Sequence, residues 1–213
     1  MEIEIYLVRH GECVMNLDRS IIGGRAMNSP LTEKGFEQAR ILGYALDKMG
    51  HINPSRVYSS TAVRAMQTAR TTMKAMGLYE NDDDIVFTDQ LVELDQGNWM
   101  GCKRDEKYTD EVMVRIKNDP STFRPPYGES QRDVLYRASN YIYEQLDKSF
   151  GEADNQYMFF AHGYVIRCFL WGITNWNPNL NYRVLTENCG VTKLTYDNGL
   201  WALKYFNRVV GEL

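Results

Sequence analysis

"IEIYLVRHGECVMN", residues 3–16, joins a short apolar run to a charged turn that contains a glycine. The apolar run at the start is rich in β-branched and aromatic side chains, which predicts a buried strand. Arg9 and His10 follow this run directly. Arginine offers a planar fork of donors that matches phosphate oxygens, and histidine exchanges protons near neutral pH. We therefore expect the chain to leave this strand at an anion-binding site.

Short apolar runs alternate with helical patterns along much of the chain. Residues 55–60 and 157–161 have the composition of buried strands, and each is followed by apolar residues at helical spacing. Thr32 is placed to cap a helix that ends at Gly50. Because such alternation favours a layered sheet, we predict one α/β domain over residues 1–213. Its expected form is a three-layer α/β/α arrangement with a largely parallel central sheet.

Two later segments have a different pattern. Residues 101–127 show little periodicity apart from a helical stretch near 105–117, and we interpret them as a variable excursion over the core. Asn198-Gly199 near the C-terminus predicts the turn of a β-hairpin. The excursion is the segment in which we expect substrate specificity to be determined.

The composition is that of an ordinary globular protein, since 44% of the 213 residues are hydrophobic and 24% are charged. A formal net charge of -4 argues against a nucleic-acid partner. We expect no membrane partner, because no apolar run is long enough to span a bilayer and the N-terminus lacks a secretory pattern. The four cysteines form no close pairs, which indicates free thiols and a cytoplasmic location.

Three strand ends are expected to meet at one edge of the sheet. The first strand ends at Arg9 and His10, the second leads to Arg64 in the first turn of its helix, and the third ends at His162 and Gly163. Parallel strands place their carboxyl ends together, and the helix N-termini found there favour anions. Taken singly, each of these residues is more often solvated or structural. The combination predicts a site for a small anionic group such as phosphate.

Five segments of the chain form an ordered set of motifs. They are LVRHGE at 7–12, SPLTEKGFEQA at 29–39, VYSSTAVRAMQTA at 57–69, LVELDQGNWMG at 91–101 and FFAHG at 159–163. This set resembles the signature of the histidine phosphatase superfamily, in its phosphoglycerate-mutase-like branch and of the phosphatase type. The resemblance extends over nearly the whole chain. It implies a phosphoglycerate-mutase-like fold and phosphoryl transfer that needs no metal and no other cofactor.

Roles for individual residues follow from this resemblance by position. It implies that His10 is the nucleophile, forming a covalent phosphohistidine, and that Glu93 protonates the leaving oxygen. It also implies a set of residues that hold the phosphoryl group: Arg9, Asn16, Gly23, Arg64, Glu93, His162 and Gly163. Asp89 and Asp95 lie close to Glu93 in sequence, and the residues alone do not distinguish these three carboxylates.

The same resemblance concerns the acceptor of the phosphoryl group. Mutases of the family follow the acidic residue with Arg-x-Tyr-Gly and carry paired arginines later, whereas residues 94–97 here are LDQG. An Asp95 side chain that faced the site would also repel a substrate carboxylate. We therefore expect a phosphatase acting on a small phosphorylated metabolite. The alternatives are a phosphoglycerate mutase and a non-catalytic phosphate-binding or interaction module, and a homodimer stays open because the family includes monomers and dimers.

Cys13 departs from the family pattern, which has a small hydroxyl residue three positions after the nucleophile. A thiol is a weaker hydrogen-bond donor than a hydroxyl. Two outcomes follow: the thiol replaces the hydroxyl at little cost, or phosphate binds more weakly and the thiol becomes sensitive to oxidation.

Overall fold

A computed structural model describes residues 2–148 and 155–211 of the chain. Within these residues six strands form one sheet: β1 (Ile3–Arg9), β2 (Arg56–Ser60), β3 (Val86–Thr88), β4 (Gln156–Ala161), β5 (Val191–Asp197) and β6 (Leu200–Arg208). Their order across the sheet is β3-β2-β4-β1-β5-β6. The first four of these pair in parallel, whereas β5 and β6 are antiparallel to their neighbours. The predicted α/β class with a largely parallel sheet is confirmed.

Helices occupy much of the remaining chain. The described ranges contain α1 (Val14–Leu17), α2 (Glu33–Lys48), α3 (Val63–Ala75), α4 (Arg104–Lys107), α5 (Asp110–Asn118), α6 (Gln131–Lys148) and α7 (Gly163–Thr174). The helix predicted after Thr32 is α2, and the Thr32 hydroxyl accepts a hydrogen bond from the Gly35 amide at 3.0 Å. Gly50, just after its last turn, has a φ of 68°, as expected at a helix C-terminus.

Side chains of β1 alternate between two separate hydrophobic clusters. Ile3, Ile5 and Leu7 pack with the buried faces of α6 and α7. Tyr6 and Val8 point to the other side, where they pack with α2 and α3. Because successive residues of a strand point to opposite faces, both faces of the sheet are covered by helices. The predicted three-layer arrangement is confirmed.

The predicted hairpin and the predicted excursion differ in how closely they match the structure. Asn198 and Gly199 connect β5 to β6 with φ values of 49° and 84°, as a type I′ turn requires. Residues 101–127 contain two short helices, α4 and α5, in place of one helical stretch. They pack through aromatic contacts: the Trp99 ring centroid lies 5.3 Å from that of Tyr108 and 5.8 Å from that of Phe123.

Candidate active site

A cleft of about 550 Å³ opens at the edge of the sheet where β1, β2 and β4 end. Seven of the residues that the sequence proposes for the site line it: Arg9, His10, Asn16, Gly23, Arg64, Glu93 and Gly163. His162 lies behind this wall, with its ring centroid 5.1 Å from that of His10. The parallel strand order therefore brings together side chains that are up to about 150 residues apart in sequence.

His10 is 3% exposed, and hydrogen bonds orient both of its ring nitrogens. Nδ1 lies 2.7 Å from the Gly11 carbonyl oxygen, and Nε2 lies 3.2 Å from Nε of Arg64. A carbonyl only accepts and a guanidinium only donates, so Nδ1 carries the proton and Nε2 presents a lone pair. Burial, together with the charges of Arg64 and Arg9, holds the pKa of His10 well below its usual value. His10 is therefore a neutral imidazole whose Nε2 lone pair accepts from Arg64, and it can act as a nucleophile once a bound phosphoryl oxygen takes over that donor.

His162 is fully buried beside His10. Its Nε2 lies 2.9 Å from the hydroxyl oxygen of Ser60, which also accepts a hydrogen bond from the Ala62 amide at 3.2 Å. Burial lowers the pKa of His162 well below its usual value, and the charges of Arg64 and Arg9 act in the same direction. The second histidine is therefore also neutral, and Ser60 at the end of β2 fixes its orientation.

The lowered pKa values predict that the free energy of unfolding falls in mild acid. Below about pH 6.5 the unfolded chain takes up protons on both histidines while folded His10 and His162 do not. Since the unfolded state then binds more protons, stability decreases by up to about 1.4 kcal/mol per pH unit for each histidine. Urea unfolding between about pH 7.5 and about pH 5.5 measures this slope.

Histidine NMR signals provide the control for that slope. The ring resonances of His10 and His162, identified from variants lacking each ring, should stay those of a neutral imidazole across the same pH range. Titration of either ring near its usual pKa would contradict the assignment of both histidines as neutral.

Two largely buried arginines on the cleft wall have no carboxylate within salt-bridge distance in the part of the chain that the structure describes. Arg64 is 3% exposed, and it donates to the carbonyls of Ala26 at 2.5 Å and Gly24 at 3.4 Å. Arg9 donates to the Thr186 carbonyl, and its buried Nε makes no hydrogen bond to the described residues. Unpaired cations in a buried position favour binding an anion, and their planar donors match phosphate oxygens.

Glu93 lies on the same wall at the N-terminus of α7. Its Oε1 accepts a hydrogen bond from the Leu94 amide at 2.9 Å, and its Oε2 accepts one from the Tyr164 amide at 3.3 Å. These two bonds fix the carboxyl group beside the cleft that His10 also lines. A carboxyl group in this position can give a proton to a leaving oxygen and take one from water.

The two rival carboxylates lie elsewhere. Asp89 is exposed and accepts a hydrogen bond from the Thr61 hydroxyl. Asp95 pairs with Arg25 at 3.4 Å and does not line the cleft. The expectation that Asp95 would repel a substrate carboxylate depended on its facing the site, so it does not count against a mutase.

Charged side chains behind Glu93 hold its backbone in place. The Glu93 carbonyl accepts hydrogen bonds from Arg25 at 3.2 Å and from Arg137 at 3.3 Å. Glu129 joins these two arginines, with oxygens 2.7 Å from Arg25 and 2.9 Å from Arg137. Burial would raise the pKa of Glu129, but Arg137, the Asp95 amide and Arg25 outweigh it and hold that pKa below its usual value.

Replacing Glu129 by Gln should affect both stability and activity. Losing the charge that joins Arg25 and Arg137 is expected to lower the free energy of unfolding by about 1–3 kcal/mol. Because the Glu93 carbonyl is then less firmly held, kcat/KM should fall by about tenfold to a hundredfold. Urea unfolding and steady-state kinetics measure the two effects. The control is Glu37→Gln, which breaks an exposed pair with Arg40 and should change neither quantity measurably.

Asn16 and Cys13 are linked by hydrogen bonds at the start of α1. The Asn16 side-chain oxygen accepts from the Cys13 amide at 3.1 Å, from the Cys13 thiol at 3.4 Å and from Asn188 at 3.3 Å. With its oxygen so occupied, Asn16 has its NH₂ group left to donate into the cleft that it lines. The thiol of Cys13, a residue that is 1% exposed, therefore helps to position the Asn16 side chain on the cleft wall.

Several residues on the cleft wall were not proposed from the sequence. They include Tyr164, Arg167, Thr186 and Asn188. Arg167 donates to the Asn181 carbonyl and to the Thr186 hydroxyl, both at 2.9 Å. A Cβ on Gly163 would lie 2.5 Å from that hydroxyl, so this glycine is required by close packing. Arg167 could have been identified from the sequence, because it is an arginine one turn into a helix that is otherwise apolar.

The chain matches the family model "Histidine phosphatase superfamily (branch 1)" over residues 5–209. Among curated proteins it is similar to a "Probable phosphoglycerate mutase GpmB" from Enterobacter sp. (strain 638). The two are 28% identical over 202 residues, which cover 93% of this chain and 87% of that protein. A protein of the same name from Citrobacter koseri is 29% identical over 201 residues, with the same coverage.

Solved structures with the same fold include phosphatases. A mycobacterial glucosyl-3-phosphoglycerate phosphatase matches with a TM-score of 0.82 and 23% identity, covering 97% of this chain and 99% of that one. The alpha-ribazole phosphatase from Shigella flexneri matches with a TM-score of 0.77 and 21% identity over 96% of each chain. At these identities the likeness is one of fold. In the described residues, no helix combines the length and apolar character needed to cross a membrane.

Proposed function

This chain belongs to branch 1 of the histidine phosphatase superfamily, and we propose that it is a phosphomonoesterase acting on a small phosphorylated metabolite. The observation that supports this most strongly is the orientation of His10, whose Nε2 lone pair lies against Arg64 on the wall of the cleft. A neutral nucleophile next to buried cations is what attack on a phosphate ester requires.

The first step forms a phosphohistidine. Nε2 of His10 attacks the phosphorus atom in line with the ester oxygen, so that a P–N bond forms as the P–O bond to the alcohol breaks. Protonated Glu93 gives its proton to the departing oxygen, which leaves as the alcohol. The other phosphoryl oxygens accept hydrogen bonds from Arg9, Arg64 and Asn16. These donors stabilise the negative charge that the oxygens carry in the transition state.

Water completes the reaction in the second step. Glu93, now a carboxylate, accepts a proton from the water that attacks phosphorus, and the P–N bond breaks to release inorganic phosphate. His10 and Glu93 both return to their starting protonation states. In this scheme the arginines supply the positive charge, and we propose that turnover needs no metal ion.

A phosphoglycerate mutase is the second candidate, because Arg104 and Arg167 line the cleft in addition to the two phosphoryl-binding arginines. They offer positive charge to a carboxylate. Residues 94–97, however, lack the Arg-x-Tyr-Gly pattern that the family's mutases have, which supports transfer to water.

Assays in excess EDTA separate these candidates. We expect the protein to release inorganic phosphate from simple phosphomonoesters with the same kcat in the presence and absence of EDTA. We expect it to interconvert 2-phosphoglycerate and 3-phosphoglycerate more slowly than it releases phosphate. Interconversion faster than phosphate release would identify a mutase. Loss of turnover in EDTA that is restored by added metal would contradict the metal-independent mechanism.

A further inference from the structure

A second cavity of about 420 Å³ adjoins the catalytic cleft. The excursion contributes part of its wall, including Met113 and Ile116 from α5 and Phe123 and Pro125 from the loop that follows. Leu94, the residue after Glu93, completes the apolar lining. A cavity of this size accommodates a substantial organic group.

The two cavities are adjacent, since Arg104, Tyr164 and Arg167 line both. Tyr164 also donates its backbone amide to Oε2 of Glu93 at 3.3 Å. In the proposed function, Glu93 protonates the leaving oxygen, so that oxygen lies next to Tyr164. The alcohol part of the substrate, which is attached to that oxygen, then lies beside the second cavity.

Several polar side chains around this cavity are already engaged by the protein, whereas the buried Tyr164 hydroxyl has no hydrogen-bond partner among the described residues. The Gln96 side chain accepts a hydrogen bond from the Tyr108 hydroxyl at 3.3 Å. Gln131 accepts one from the Asn181 side chain at 2.7 Å, and Glu129 is paired with arginines. The Tyr164 hydroxyl can therefore bond one polar group of a ligand, while further hydroxyls beside the apolar residues of the lining would be buried without partners.

Rings and guanidinium groups form the remaining wall. The Arg104 guanidinium carbon lies 5.3 Å from the centroid of the Tyr108 ring, and that of Arg167 lies 5.0 Å from the centroid of the Tyr164 ring. Flat side chains of this kind pack favourably against a flat aromatic ligand.

We propose that the second cavity binds the leaving group, and that the preferred substrate is a phosphomonoester of an alcohol that carries an aromatic ring. This rests on the proposed phosphatase function. The ring occupies the space between α5 and Tyr164, the ester oxygen lies at Glu93, and the phosphoryl group lies between His10 and the buried arginines.

Two primary alkyl esters test this with the chemistry held constant. 2-Phenylethyl phosphate and glycerol 3-phosphate both release primary alcohols, so a difference in kcat/KM reports how the leaving group binds. Burying the phenyl ring should favour 2-phenylethyl phosphate by about tenfold to a hundredfold.

A pair of variants on α5 assigns that preference to the cavity. Met113 lines the cavity and is 45% exposed, so Met113→Lys should fold and should place a charge beside the ring. In Met113→Lys, the ratio of kcat/KM for 2-phenylethyl phosphate to kcat/KM for glycerol 3-phosphate should fall about tenfold. Val114 is the next residue, is 57% exposed and does not line the cavity, so Val114→Lys should leave the ratio unchanged.

The outcomes separate the subsite from the function. Three results would overturn the aromatic subsite but would leave the proposed phosphoryl transfer intact. They are an equal kcat/KM for the two esters, a kcat/KM ratio that Met113→Lys does not change, and a preference for 3-phosphoglycerate over 2-phenylethyl phosphate. No turnover of either ester or of p-nitrophenyl phosphate would overturn the proposed function and the subsite together.

Discussion

Replacing His10 by Asn is expected to reduce kcat by at least about 10⁴-fold on every phosphomonoester. The variant removes the ring nitrogen that we propose forms the P–N bond, while the arginines proposed to bind the phosphoryl group stay in place. Inorganic phosphate should therefore still bind, which isothermal titration calorimetry can measure. Steady-state phosphate release measures the loss of turnover.

His51 provides the matched control for this substitution. It is exposed and lies outside the cleft, where its Nδ1 is 2.8 Å from the Met49 carbonyl oxygen. His51→Asn should retain full activity. Substantial turnover in His10→Asn, of the kind that a water molecule activated by another residue would give, would contradict nucleophilic catalysis by His10.

Replacing Glu93 by Gln should reduce kcat/KM by about 10²- to 10⁴-fold for alkyl phosphates, because their leaving alkoxides need a proton. p-Nitrophenolate needs no such proton, so kcat/KM for p-nitrophenyl phosphate should change by less than about tenfold. Its kcat should still fall, since we propose that Glu93 also deprotonates the attacking water. Rapid mixing should then show a burst of p-nitrophenol followed by slow turnover.

Asp89→Asn is the control, because Asp89 is a nearby carboxylate in sequence that is exposed and outside the cleft. It should behave as the unsubstituted protein with both kinds of ester. If Glu93→Gln slowed alkyl and p-nitrophenyl esters equally in kcat/KM, Glu93 would act in binding and not as the proton donor.

The fold and the gathering of the site could be predicted because they depend on short-range patterns. The apolar run before Arg9 and the run before His162 both form parallel strands, and strands of that type end at one edge of a sheet. Adjacency of β1 to β4 was enough to bring the two histidines together. No detailed knowledge of side-chain packing was needed.

The choice among the carboxylates could not be made from the residues alone. Glu93 and Asp95 are two positions apart, and sequence does not determine which side chain turns toward the cleft. In the structure, hydrogen bonds from Leu94 and Tyr164 hold Glu93 at the cleft, while Arg25 draws Asp95 away. Two of these three partners are distant in sequence, so the orientation depends on tertiary contacts.

The excursion was the least predictable segment for the same reason. Its two short helices pack through aromatic rings around Trp99, and its apolar residues face a cavity shared with Tyr164 and Arg167 of α7. Without the position of α7, neither the cavity nor its lining could be inferred. That segment now provides the most specific expectation about the substrate.

The most direct test of nucleophilic catalysis by His10 is to stop the enzyme in alkali during turnover and locate the covalent phosphoryl group by mass spectrometry. Glu93→Gln with p-nitrophenyl phosphate is the best sample, since slow water attack should let the intermediate accumulate. We expect one phosphoryl group, stable in alkali and labile in acid, on the peptide that contains His10. A phosphoryl group on another residue, or none during a measured burst, would contradict it.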